Sequence, residues 1–287
     1  MITENMRGLI KNGATIRAMF EEGKELARKY GKENVYDFSL GNPNVETPEE
    51  IKKLICEIVS EEDSLNLHGY MSNSGYEDVR KTIANSINKK YELNIDEQSI
   101  VMTCGAAGGL NIIFKSILEE GDEVIVFAPF FGEYSNYIKN FNGKEVIAST
   151  EENTFLPDVE DLKRNITERT KAVIINSPNN PTGVVYSSKV IEDICFVLKQ
   201  KQLEYNNDIY LIADEPYREL VYDDTDVPYI FNYYDNSFVC YSYSKSLSLP
   251  GERIGYVAIN NNMNDFEEMT AALSIANRIL GFVNAPS

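Results

Sequence analysis

From residue 100 onward the chain alternates short apolar runs with amphipathic stretches, and that alternation leaves few folds open to it. The runs at 100–103, 123–128, 145–148, 172–176, 209–213, 238–241 and 254–259 have the length and apolar character of buried strands. Between several of them, 108–118, 132–140 and 188–203 carry the periodicity of crossover helices. Strands that alternate with helices predict an α/β fold, a mostly parallel sheet sandwiched by helices on both faces.

The first 47 residues read differently. A helix is expected over 16–30, and after it come Ser39, Leu40, Gly41, Asn42 and Pro43, whose glycine and proline mark an irregular loop. Pro48 then opens another helix at its first turn, where a missing N–H costs nothing. The expected organisation is an N-terminal arm over 1–47 and one large domain over 48–287, with no internal repeat or low-complexity tract. A chain of 287 residues can bury a substantial core.

Composition removes several classes of function. With 45 acidic residues against 27 basic ones the formal charge is −18, whereas a nucleic-acid partner calls for a surplus of Lys and Arg. Cys56, Cys104, Cys195 and Cys240 lie far apart without CxxC spacing, so neither a metal knuckle nor a disulfide framework is expected, and a reducing compartment fits. His68 is the sole histidine, which argues against a histidine-rich metal site and a Ser/His/Asp triad. No apolar run reaches membrane-spanning length, and 1–17 lacks the continuous apolar stretch of a signal peptide. The expectation is a cytoplasmic protein without membrane, nucleic-acid or metal partners.

Ligands of open α/β sheets collect beyond the carboxyl ends of the strands, and the polar residues here concentrate there. After the first strand, Gly105, Ala106 and Ala107 lead into a helix, a turn able to aim backbone N–H groups at an anion. A dinucleotide site would want an acidic residue at the end of the second strand, but Ala128 and Pro129 stand there, which favours a monophosphate. Phe130 and Phe131 follow; aromatic rings in such a place are usually core, and the functional alternative is a ring stacked on a planar heterocycle. The fourth strand ends in Asn176, and its following turn carries Asn180, Pro181, Thr182 and Gly183. The fifth delivers Asp214, Glu215 and Tyr217; a P-loop ATPase would use such an acid, but no GxxxxGK[ST] run exists. Lys245 lies in the small-residue run Ser242, Tyr243, Ser244, Lys245, Ser246, with Arg253 eight positions on. Alone, that lysine is most often a solvated charge; with an arginine nearby it suits a carbonyl cofactor that ends in a phosphate.

As an ordered set across nearly the whole chain, Gly105 to Ala107, Phe131, Asn180 to Gly183, Asp214 with Tyr217, and Ser242 to Lys245 with Arg253 resemble the class I aminotransferases, fold type I enzymes that use pyridoxal 5′-phosphate (PLP). The resemblance implies that Lys245 forms the Schiff base with PLP and moves the substrate proton, which requires a depressed lysine pKa. It implies that Asp214 keeps the pyridine nitrogen protonated, so that the ring acts as an electron sink. Asn180 and Tyr217 would bond the phenolic oxygen, and Phe131 would stack on the ring. Arg253, Ser242, Ser244 and the backbone of Gly105, Ala106 and Ala107 would hold the phosphate. Ser39 to Pro43 is similar to the family's substrate-gate loop, with Gly41 near the substrate carboxylate. His68, Gly69 and Tyr70 resemble the segment whose tyrosine reaches the phosphate of a neighbouring subunit, and a homodimer follows from that match.

The departure lies at the far end, where the family continues past the position of Ser287 into a small domain carrying the arginine for the substrate α-carboxylate. The expectation is therefore a chain that lacks the C-terminal small domain, binds PLP through 105–253, and transaminates feebly because its substrate is poorly oriented. The function expected is transfer of an amino group between an amino acid and a 2-oxo acid. Two alternatives share the scaffold, a PLP-dependent C–S lyase and a non-catalytic PLP-binding module. No residue decides which amino acid is the substrate.

Overall fold

The computed structural model describes residues 2–36 and 41–281 and divides into two compact units, Met1–Glu46 and Thr47–Ser287. In the first, α1 (Glu4–Tyr30) is capped by Thr3, whose hydroxyl accepts the Met6 N–H, and ends at Gly31 with φ 89°. It starts well before the expected residue 16. Gly8 and Gly13 weaken the helical reading of that stretch, since each glycine costs about 1 kcal/mol against alanine in a helix interior, but the Thr3 cap starts the helix ahead of both. Ser39 and Leu40 of the expected gate loop lie outside the described residues, as do 284–287 at the chain end.

The second unit opens with α2 (Glu49–Glu61), whose N-cap residue is Pro48, then α3 (Ser64–His68) and α4 (Glu77–Tyr91). The alternation follows as β1 (Ile100–Cys104), α5 (Gly105–Ile117), β2 (Glu123–Phe127), α6 (Glu133–Asn140), β3 (Lys144–Ala148), α7 (Val159–Asn165) and β4 (Thr170–Asn176). It continues with α8 (Ser188–Tyr205), β5 (Tyr210–Asp214), β6 (Ser237–Ser242), α9 (Tyr243–Ser246), β7 (Ile254–Ile259) and α10 (Phe266–Ile279). The seven strands form one sheet in the order β1-β7-β6-β5-β4-β2-β3. Every neighbouring pair is parallel except those of β7, which runs against both β1 and β6. Among the described residues no helix is long and apolar enough to cross a membrane.

Period-two alternation along the strands splits the core into two layers. Ile125, Val173, Ile175 and Leu211 pack with α4, α7 and α8 on one face. Val124, Val126, Ile174 and Ile212 pack with α5, α6 and α10 on the other. Each fully buried side chain of this kind contributes roughly 1.5–3 kcal/mol, and together they fix which strand faces turn inward. α5 begins at Gly105 rather than at the expected residue 108, and Gly105, Gly108 and Gly109 are all buried.

Strand direction decides what gathers at one sheet edge. β1, β4, β5 and β6 end there in Cys104, Asn176, Asp214 and Ser242. Because β7 is reversed, its beginning arrives at the same edge: Ile254 pairs with Cys104, and Gly255 with both Thr103 and Ser242. Arg253, just ahead of β7, is thereby brought to the carboxyl ends of strands distant in sequence.

Candidate active site

Beyond this edge lies a cavity of about 210 Å³. Ala106 and Ala107 of α5 line it, as do Phe131, Asn180, Asp214, Tyr217, Ser242, Ser244, Lys245 and Arg253. Gly105 stands directly behind it. Its φ is +68°, and a Cβ there would come to 3.0 Å from Arg253 Nη2, so the left-handed backbone and the approach of the guanidinium both call for glycine. Gly255 seals the arrangement from beneath, since a Cβ would lie 2.3 Å from the Tyr241 carbonyl oxygen and 2.8 Å from Gly105 Cα.

Two segments bring serine hydroxyls and an arginine to the cavity. Ser242 caps the short α9, its Oγ accepting the Ser244 N–H at 3.2 Å and pairing with Ser244 Oγ at 2.7 Å. Arg253 Nη1 donates to the Pro250 carbonyl at 3.0 Å, and this loop bond fixes the base of the guanidinium fork. A serine pair, an arginine and the first turn of α5, all at one cavity, are the kinds of donor an anion needs.

The same cavity is lined by a buried carboxylate. Asp214 is 5% exposed, and burial lifts its pKa from the ordinary 3.8 to about 6 against the hydrogen bond from Tyr134, with the Glu215 charge adding to the rise. Tyr134 Oη donates to Asp214 Oδ2 at 2.5 Å, whereas Asp214 Oδ1 is buried without a hydrogen-bond partner. Asn176, in register with Asp214 on the adjoining strand, donates through Nδ2 to the Asp214 carbonyl oxygen at 2.6 Å.

The remaining polar groups line the same cavity. Asn180 Nδ2 donates to Tyr217 Oη at 3.3 Å, and burial followed by the Asp214 charge pushes the Tyr217 pKa up. For Lys245, burial first and the Arg253 charge second lower the pKa, so its amine reaches the neutral, nucleophilic form more readily than a solvated lysine does. Phe131 sets its ring edge-on to Tyr134, with centroids 5.6 Å apart and planes at 82°.

The residue expected to reach a neighbouring subunit lies outside this chain's own cavity. Tyr70 is 98% exposed and does not line the cavity; its ring lies 5.8 Å from the Arg278 guanidinium. Gly41 belongs to the first compact unit. Tyr134, Tyr137, Asn176, Leu110, Pro216 and Pro250, none of them an expected site residue, also touch or line the site. Of these, only Asn176 carried a signal, as a polar residue ending an apolar strand beside Asp214.

A buried ion pair braces the site from behind. Arg218 Nη2 and Nε meet Glu215 Oε1 and Oε2 at 2.6 and 2.5 Å, and Arg218 also donates to the carbonyls of Val227 and Pro228 at 2.7 and 2.8 Å. Tyr91 and Tyr229 stack 4.3 Å apart, and the guanidinium lies 5.2 and 5.0 Å from their rings.

Comparison with known proteins places the chain in a family. The family model for aminotransferase class I and II matches residues 33–287. An aspartate aminotransferase of Pyrococcus horikoshii is 32% identical over 266 residues, which cover 92% of this chain and 63% of that protein. The crystal structure of an amino transferase from Eubacterium rectale is 44% identical and superposes with a TM-score of 0.95, covering all of this chain and 72% of the other. That of the Thermus thermophilus aspartate aminotransferase with maleate is 27% identical with a TM-score of 0.81, over 94% and 66% of the two chains. The chain thus spans less than two thirds of the length of the Pyrococcus and Thermus relatives.

Proposed function

We propose that this chain, which belongs to the class I and II aminotransferase family, binds PLP in the cavity beside Lys245 and moves an amino group between an amino acid and a 2-oxo acid. The observation that carries the proposal is Asp214 Oδ1, a buried carboxylate oxygen without a partner on a residue lining the same cavity as Lys245 and Arg253. Such an oxygen is costly to leave unpaired, and a protonated ring nitrogen is the donor it lacks. The residues fit the cofactor at its other points as well. Arg253, Ser242, Ser244 and the start of α5 would hold a phosphate, Asn180 and Tyr217 a phenolic oxygen, and Phe131 a ring face.

When bound, PLP supplies an electrophilic carbonyl and an electron-accepting ring. The chain's own part is to hold and orient. Asp214, in its ionised form, would keep a proton on the ring nitrogen. Lys245 Nζ would hold the cofactor's carbonyl end and serve as the base for the substrate Cα proton, a role for which its lowered pKa suits it. Charge-assisted bonds from the phosphate cradle, at roughly 1.5–3 kcal/mol each, outweigh the stacking contribution of Phe131 at about 0.5–1.5 kcal/mol.

The proposal includes aspartate as the first amine donor to try, because the Pyrococcus and Thermus relatives are aspartate aminotransferases. It includes a homodimer in which the exposed Tyr70 reaches the neighbouring subunit's phosphate. It also includes a reducing, cytoplasmic setting, in keeping with four free cysteines. The test is transfer of ¹⁵N from labelled aspartate to 2-oxoglutarate by the PLP-loaded protein. Label in glutamate that disappears in Lys245→Ala supports the proposal. Release of ammonia and pyruvate without an acceptor, from a substrate with a β carbon–sulfur bond, contradicts it in favour of a lyase.

A further inference from the structure

We infer that Tyr134 is a positioning residue for the cofactor's ring nitrogen: its hydroxyl holds one oxygen of Asp214 so that the other is kept for the ring. The inference rests on the PLP reading of the cavity and extends it to a side chain that does not line the cavity.

Tyr134 is 1% exposed, at the start of α6, and its backbone N–H donates to the Phe131 carbonyl at 3.1 Å. Phe130 lies near-parallel to its ring, with centroids 6.4 Å apart, and Phe131 meets it edge-on. The ring is therefore held on two sides while the hydroxyl reaches Asp214 Oδ2 at 2.5 Å. Asn176 fixes the backbone of the same aspartate. With the backbone held at the carbonyl and one carboxylate oxygen at Tyr134, Oδ1 is left as the unpaired atom. Burial and the neighbouring Asp214 charge push the phenol pKa far up, so Tyr134 stays a neutral donor at every working pH. A donor that never ionises favours the charged form of Asp214, which is the form a ring N–H⁺ needs.

A tyrosine that merely fills the core would serve any ligand of the cavity equally. A tyrosine that prepares Asp214 serves only ligands with a ring nitrogen. The experiment compares dissociation constants of the cofactor-free protein for PLP and for its analogue with the ring nitrogen replaced by CH, in wild type and Tyr134→Phe. The expected result is a preference for PLP over the carbon analogue that falls about tenfold in the variant, as loss of one hydrogen bond to a charged group implies, with affinity for inorganic phosphate unchanged. Equal losses for both compounds, or an unaltered preference, overturn the inference. If wild type binds neither compound, the proposed function fails and this inference with it. A second variant, 3-fluorotyrosine at position 134, keeps the shape and strengthens the donor. The preference should then rise, and no change contradicts the inference even where Tyr134→Phe does not fold.

Discussion

Asn176 and Asp214 are register partners on adjoining parallel strands, and the side chain of the first is bonded to the backbone of the second: Asn176 Nδ2 donates to the Asp214 carbonyl oxygen at 2.6 Å. The Asn176 Oδ1 accepts the Asn180 N–H, also at 2.6 Å. One buried amide thus ties the carboxylate strand to the turn that presents Asn180, although Asp214 lies 38 positions from Asn176 in the chain.

Asn176→Ala is expected to remove both bonds and leave two backbone groups without partners, at a cost of roughly 1–3 kcal/mol for each group left unsatisfied. Urea unfolding of the cofactor-free protein measures the loss. A change within a few tenths of a kcal/mol would show that water replaces the amide at no cost.

The raised pKa of Asp214 sets a pH dependence. A carboxyl with a folded pKa of about 6 against an ordinary 3.8 holds its proton more tightly when folded, so its contribution is full below about 3.8 and is lost as pH rises through about 6. Tyr134 and Tyr137 of α6, Cys240 of β6, and Glu215 and Tyr217 of its own segment all interact with this carboxylate, and none supplies a positive charge that would reverse the sign. Without cofactor, Asp214→Asn should therefore gain stability over wild type between pH 4 and pH 7, by up to about 3 kcal/mol. Unfolding midpoints at the two pH values check this, and an advantage that does not grow with pH counts against a raised Asp214 pKa.

Glu215 and Arg218 are 3% and 5% exposed and share two short bonds. Arg218→Ala would strand a buried carboxylate and two carbonyls, and the expected loss is about 3–5 kcal/mol. Replacing both members by apolar residues, Glu215→Leu with Arg218→Met, should cost less than the single change. Denaturant unfolding of both variants tests the order, and a double variant weaker than Arg218→Ala would contradict it.

Much of the sheet was legible because its strands are buried on both faces and read as unbroken apolar runs such as Ile125 to Phe127 and Ala172 to Ile175. The helix α4 was not, since it buries only Ile83, Ala84 and Ile87 in a run of polar residues. The residues gathered at the cavity stood out where a strand ends in a polar or glycine-rich segment, as at Asp214, Ser242 and Gly105. Tyr134 and Tyr137 did not, because a tyrosine on a helix looks the same in sequence whether it fills a core or reaches a carboxylate 80 positions away. The reversal of β7, which delivers Arg253 to the site, is a matter of long-range pairing that local periodicity does not encode.

The central claim is that Lys245, Asp214 and the Arg253 cradle serve one PLP molecule, and covalent trapping tests it most directly. The protein is incubated with PLP, reduced with borohydride, digested and mapped by mass spectrometry. The account predicts a single phosphopyridoxyl label on Lys245, weakened in Asp214→Asn and Arg253→Gln. A label on a different lysine, or none under conditions that saturate the relatives, would contradict it.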